Sequence, residues 1–297
     1  MVFAKQRRIL ISTDAKNEAD DQFAIIQALL SPTLDIRGIV AAHFGDRRGP
    51  GSMLDSRKEI DLLLRLVNRD QEDIAVNGSP VALPNETTPA PSDGSKRILQ
   101  EATLASPEDP LNIAVLGPLT DVASALIEDP SIADKIVVVW IGGAPYGDIK
   151  PQSWPEFNLA NDIPSANAVF KSSAKIVQVP MDVYRRTSVG YAELEVKIGK
   201  SGKLGRYLID QLIQWNEGDH RGFFRETRAL GDNPAIAAIL NEQSITTRTI
   251  PARVFEQEGG YGTQIPGTTI DVVTQVDVRW MMEDMFAKIQ QFGEAIQ

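Results

Sequence analysis

The chain has no cysteine and only two histidines in 297 residues. The first absence excludes disulfides, thiolate metal sites and thiol nucleophiles. The second excludes a zinc centre built on three histidines, since His43 and His220 are the whole imidazole supply. Any bound metal must then be held mainly by oxygen, which selects hard cations. Long apolar runs are also missing: no segment approaches the ~20 residues that cross a bilayer. The N-terminal MVFAKQRRILIS lacks the apolar core and cleavage site of a secretory leader, so a cytoplasmic protein with no membrane partner is expected. Positive charge is in deficit, 30 Lys and Arg against 40 Asp and Glu, giving a net charge of −10. Such a balance disfavours a nucleic-acid partner, because affinity for that backbone comes from neutralised phosphates. The glycine-rich phosphate loops GxGxxG and GxxxxGK[ST] are absent as well.

What is present is an alternation. Short apolar runs at 8–12, 35–44, 73–77, 112–117, 135–143 and 174–181 alternate with helical patterns near 20–30, 53–68, 94–105 and from about 118. Runs buried on both faces and separated by helices predict βαβ units and a parallel sheet. The C-terminal part differs: 245–257 and 268–280 have strand composition, and 283–292 reads as a closing helix. The fold class expected is α/β, a doubly wound, mostly parallel, Rossmann-like sheet in one domain spanning 1–297. The segment 185–232, rich in charge and glycine, is the candidate lid or insertion. Ligands of an open parallel sheet bind outside the carboxyl ends of its strands. Asp14, His43, Asp46, Leu116, Gly117, Gly142 and Gly143 all fall at such ends.

One strand end is unusual. Between the strand at 8–12 and the following helix stand Asp14, Glu18, Asp20 and Asp21. Carboxylates near a helix N-terminus gain ~0.3–1 kcal/mol each from the helix dipole, which explains one or two of them. Four repel one another, and a hard cation with oxygen ligands would offset that. Capping and cation binding both remain open on this chemistry. The turn does not have the glycine and glutamate frame of an EF-hand.

TDAKNEADDQFAIIQALLSPTLDIRGIVAAHFG resembles the N-terminal signature of the nucleoside hydrolases, the inosine-uridine-preferring N-ribohydrolases. NIAVLGPLTDVASALIEDPSIADKIVVVWIGG, WPEFNLANDIPSANAVF and GDNPAIAAIL are similar, in the same order, to three further stretches of that family, so the resemblance runs from about residue 9 to 280. It implies the nucleoside hydrolase fold and Ca²⁺-dependent cleavage of the N-glycosidic bond of a ribonucleoside or related ribosyl compound, giving ribose and base. In the family's DxDxxxDD signature two aspartates bind the Ca²⁺; here these match Asp14 and Asp21. Seven positions separate them instead of five, with Asn17-Glu18 as the nearest extra pair, and Ser12 replaces the first aspartate. The resemblance further implies Leu116 (by its carbonyl) and Asp232 as metal ligands, Asp20 at the ribose 2′-hydroxyl, and Glu156 and Asn158 at the sugar. Asp46 stands where an asparagine is usual. Asp14 is the implied general base.

In the purine-processing members a histidine precedes the last metal aspartate; here Gly231 does. His220 is the other candidate acid, and His43 a candidate pocket residue. Trp154, Tyr184, Trp215, Phe223 and Phe224 are candidates for stacking on a base. Arg221, Arg225 and Arg228 are candidates for an anionic group or for pairing with Glu217, Asp219 and Glu226. A homodimer or homotetramer is implied by resemblance alone. Two alternatives stand beside the leading expectation: a hydrolase of the same fold acting on another glycoside, and a non-catalytic ribose- or nucleoside-binding homologue.

Overall fold

Ile9 and Ile11 pack into one apolar cluster and Leu10 into another, all three fully buried. A strand covered on both faces demands this, and it is the first strand of a three-layer α/β fold. The computed structural model describes residues 6–45, 51–147, 155–218 and 226–295. In chain order its elements are β1 (Arg7–Thr13), α1 (Asp21–Leu29), β2 (Leu34–Ala41), α2 (Ser52–Leu66), β3 (Ala75–Asn77), α3 (Asp93–Thr103), β4 (Leu111–Val115) and α4 (Thr120–Glu128). There follow β5 (Ile136–Ile141), α5 (Phe157–Asn161), α6 (Ile163–Lys171), β6 (Lys175–Val179), α7 (Met181–Tyr184), β7 (Ser188–Gly190), α8 (Tyr191–Ile198) and α9 (Gly202–Gly218). The last are β8 (Thr227–Ala229), α10 (Asn233–Leu240), β9 (Ile245–Phe255), β10 (Tyr261–Val276) and α11 (Val278–Ala295).

The main sheet has the order β3-β2-β1-β4-β5-β6-β10-β9. Every pairing is parallel except β10 with β9. The doubly wound, mostly parallel sheet expected from the sequence is thus observed. Helices α1, α2, α8, α9, α10 and α11 cover one face, and α3, α4 and α6 the other. Strand order reverses between β1 and β4, and the crevice at such a switch point is where open α/β sheets take their ligands. Trp140 on β5 sits edge-on to Phe170 and Phe255, at 5.8 and 5.9 Å between ring centroids. Its indole N–H donates to the Gly117 carbonyl at 3.1 Å, which ties the core to the loop after β4.

Three boundaries differ most from expectation, the first being the start of β10, at Tyr261 rather than 268. The strand composition of 268–280 ends at Val276, and α11 begins at Val278, before the expected 283. Asp277 is the cause: its side chain accepts the Trp280 N–H at 2.9 Å and starts the helix. In the candidate lid, the apolar residues of β7, α8 and α9 (Val189, Leu194, Leu208 and Leu212 among them) pack into the same cluster as α1 and α11.

Candidate active site

The switch point gathers residues from three strand ends and one helix start. β1 delivers Asp14, β4 delivers Leu116, β5 leads toward Glu156 and Asn158, and Asp232 precedes α10. The turn after β1 is long and is fastened on several sides. Asn17 N–H donates to the Asp14 carbonyl. Gln22 donates to the Ala15 carbonyl and Gln211 of α9 to that of Ala19. Lys16 pairs with buried Glu59 at 2.9 Å. Glu18 pairs with Arg228, whose other guanidinium nitrogen reaches Asn216. The ion pair that Arg228 makes is with Glu18, a partner the sequence did not single out.

Oxygens of Asp20, Asp21 and Asp232 come within 4.8 Å of one another. Asp14 adjoins this trio and is buried, as are Asp21 and Asp232. Burial, then Asp21, Asp20 and Glu18, holds the Asp14 carboxyl well above the usual range. Asp21 is pushed up to about 8, by burial and then by Asp20. Asp20 is pushed up to about 6 by burial and then by Glu18, against the partial offset of Arg228 and the Gly231 N–H. Asp232 is raised well above the usual range by burial and then by Asp21, Asp20 and Asp14. Donors are few. Thr13 gives its hydroxyl to Asp21, and Gly231 N–H donates to Asp20 at 3.0 Å. Among the described residues neither Asp14 Oδ2 nor Ser12 Oγ has a hydrogen-bond partner. Buried, mutually repelling oxygens with so few donors fit a hard divalent cation.

Close approach to this cluster needs glycine. A Cβ at position 117 would lie 3.0 Å from the Asp14 carboxyl carbon. One at position 231 would lie 3.1 Å from both Asp20 Oδ2 and the Tyr184 ring.

The opposite wall is rich in donors. Glu156 caps α5 and accepts the N–H groups of Asn158 (3.2 Å), Leu159 (3.0 Å) and Gly143 (2.9 Å) and the Tyr184 hydroxyl (2.9 Å). Burial, then Glu156, holds the Tyr184 phenol well above its usual value, so it stays a donor. Asn158 donates to the Leu116 carbonyl at 2.8 Å and to that of Ile141 at 2.9 Å. The wall is thereby joined to the carbonyl expected at the metal, which keeps a second lone pair.

His43 is buried, with Nε2 at 2.9 Å from Thr120 Oγ1. Thr120 gives its proton to Asp162, so the imidazole donates from Nε2, and Nδ1 accepts the Gly45 N–H at 3.2 Å. Both ring nitrogens are thus engaged by the protein. Asp46, Trp154, Asp219, His220, Arg221, Phe223, Phe224 and Arg225 lie outside the described residues. Trp215 faces the Arg228 guanidinium at 5.8 Å. The Tyr184–Glu156 bond was not anticipated. No local pattern signals it, because the two residues are 28 apart.

Comparison with known proteins agrees with this geometry. The family described as inosine-uridine preferring nucleoside hydrolase matches residues 9–283. The pyrimidine-specific ribonucleoside hydrolase RihA of Escherichia coli is 29% identical over 253 residues, 77% of this chain and 78% of that protein. The protein of the same name from Salmonella typhimurium is 28% identical over 255 residues, with the same coverage. Among solved structures, a plant nucleoside hydrolase superposes with TM-score 0.78 at 20% identity, covering 96% of this chain and 99% of the other. A purine-preferring ribonucleoside hydrolase from Gardnerella vaginalis gives TM-score 0.77 at 20% identity, covering 97% and 100%. With the family matched across nearly its whole length, and a carboxylate cluster at the switch point of its sheet, the chain belongs to the inosine-uridine preferring nucleoside hydrolases, enzymes that hydrolyse N-glycosidic bonds.

Proposed function

We propose that the chain is a Ca²⁺-dependent ribonucleoside hydrolase whose cation is held by Asp14, Asp21, Asp232 and the Leu116 carbonyl. The observation that supports this most is the crowd of carboxylates short of donors, Asp20, Asp21 and Asp232, with an unpartnered oxygen of the adjoining Asp14. When bound, the cation would acidify a water and hold the sugar diol. The rest falls to the chain's own groups. Asp14 takes the water's proton as general base. Asp20, braced by the Gly231 N–H, faces the ribose 2′-hydroxyl. Glu156 and Asn158 form the sugar side of the pocket. We assign His43 to holding Thr120 and Gly45 in place beneath it, since its ring nitrogens are engaged there. Water attack at the anomeric carbon passes through an oxocarbenium-like transition state, which surrounding carboxylates favour.

Position 231 offers no side-chain proton donor, so leaving-group protonation falls to another group, His220 being the candidate. General-acid help is worth about 10²–10⁴-fold, so nitrophenyl riboside should be cleaved better than inosine. Assays of both substrates with chelated and Ca²⁺-restored enzyme test the proposal. Full activity after chelation would sink the cation's role, and equal rates on inosine and nitrophenyl riboside in His220→Ala would sink the leaving-group argument. From its resemblance to the family we also infer a homodimer or homotetramer. A sedimenting species of only 32.5 kDa would contradict the oligomer.

A further inference from the structure

Glu156 is only 4% exposed and already accepts four hydrogen bonds. A carboxylate offers about four acceptor positions. A substrate hydroxyl could bond Glu156 directly only by displacing a donor. Three of the four donors are backbone N–H groups, at Gly143, Asn158 and Leu159, held by the chain's own path. The fourth is the Tyr184 hydroxyl, on a half-buried side chain.

Tyr184 also stands within the site. The point where a Gly231 Cβ would lie is 3.1 Å from its ring and equally 3.1 Å from Asp20 Oδ2. The phenol therefore spans the gap between the donor-rich wall and the carboxylate cluster. Having given its proton to Glu156, its oxygen keeps lone pairs for an incoming donor, and donation to a carboxylate makes that oxygen a better acceptor.

We propose that Tyr184, rather than Glu156, receives a sugar hydroxyl of the substrate, with Glu156 as the buried anchor that fixes its orientation. Tyr184 is then a specificity-determining residue and Glu156 a positioning residue acting through it. The inference rests on the ribonucleoside reading of the site.

The test compares nitrophenyl riboside with its 2′-, 3′- and 5′-deoxy counterparts in wild type, Tyr184→Phe, Glu156→Gln and the double variant. In wild type each deoxy compound should lose about 10-fold or more in kcat/KM, the scale of one hydrogen bond to a well-placed partner, since the cation and Asp20 also hold the diol. Tyr184→Phe should erase the discrimination against one of the three and raise KM for the parent riboside far more than it lowers kcat. Adding Glu156→Gln to Tyr184→Phe should remove no further discrimination, the signature of one coupled unit. Discrimination against all three deoxy compounds retained in Tyr184→Phe, or additive losses in the double variant, would overturn the proposal. Titration of ribose by calorimetry reads the same contact without turnover. Ribose affinity lost in Tyr184→Phe supports the inference even if no riboside is cleaved, an outcome that would sink the ribonucleoside reading alone. Tyr184→Phe deletes one oxygen, and an unchanged melting temperature shows that it folds.

Discussion

Two sets of carboxylates are buried in this molecule, and their surroundings differ. Asp121 and Asp162 lie beneath the sheet's carboxyl edge, at the starts of α4 and α6. Asp121 accepts Ser79 N–H and the Ser92 hydroxyl; Asp162 accepts the Leu83 and Ser165 N–H groups and the Thr120 hydroxyl. The switch-point cluster is equally buried, yet Thr13 and Gly231 are its main donors among the described residues. Burial raises carboxyl pKa values in both places: Asp121 is pushed up to about 6 by burial, against the pull of its donors. Burial therefore does not mark the site. Nor does a single unpartnered oxygen, since both donors of Asp121 reach Oδ1 and its Oδ2 has no partner. What marks the site is several carboxylates facing one another with few donors among them, because mutually repelling, desolvated carboxylates are stabilised by protons or a cation.

The comparison breaks most sharply by deletion. Asp14→Ala is expected to lower kcat/KM by at least about 10²-fold, since ligand and base are lost together. Asp121→Asn should stay within a few-fold of wild type; steady-state assays of both variants on one riboside decide it.

Proton competition should come next. Cation ligands must be ionised. With Asp21 at about 8 and Asp14 and Asp232 also raised in the cation-free protein, affinity must weaken as pH falls. Calorimetric titration with Ca²⁺ should give a dissociation constant more than about 10-fold weaker at pH 6 than at pH 8. The shifts of Asp20, to about 6, and of Asp21 also set the stability of the chelated protein. These folded-state values lie above the ordinary 3.8, so their contribution is fully present below about 3.8 and is lost as pH rises through about 6 and then 8. Thermal melts of chelated protein should therefore fall from pH 5.5 to 8.5, and Ca²⁺ should restore them, by about 2.7 kcal/mol at 100-fold excess over the dissociation constant.

Asp121→Asn sharpens the contrast from the other side. Its raised pKa means that Asp121 costs stability above pH 6, through burial and the neighbouring Asp162. The amide keeps an oxygen for Ser79 and Ser92 without the charge. A gain of order 1–3 kcal/mol is expected at pH 8, shrinking toward pH 5, read from urea midpoints. The smallest effect belongs to Lys16, whose side chain is 51% exposed. Lys16→Ala should cost under about 1 kcal/mol and leave turnover unchanged, because Gln22 and Tyr207 still hold Glu59. A large loss of activity there would mean that every charge in the turn serves the site.

Much of this was legible in the residues themselves. The alternation of Ile9, Leu10 and Ile11 announces a strand buried on both faces, and Asp14, Asp20 and Asp21 mark one strand end as chemically loaded. Strand composition misled at 277–280, where the Asp277 side chain captures the Trp280 N–H and turns the chain into a helix. For Asp121 the sequence shows an ordinary aspartate in the first turn of a helix. Its burial and its Ser79 and Ser92 partners come from loops 42 and 29 residues away.

The chain's own pattern determined the order of strands and helices, the mainly oxygen ligand supply and the acidic turn, because each can be read from composition or from residues a few positions apart. Tertiary structure alone decided which carboxylates receive donors. Glu156 is filled by Gly143 and Tyr184 as well as by its own helix, His43 is locked by Thr120 and Gly45, and Asp232 is brought to Asp21 from over two hundred residues away. Hydrogen bonds and charge repulsion act over a few ångströms of space, and that proximity exists only once the sheet has closed β1 against β4.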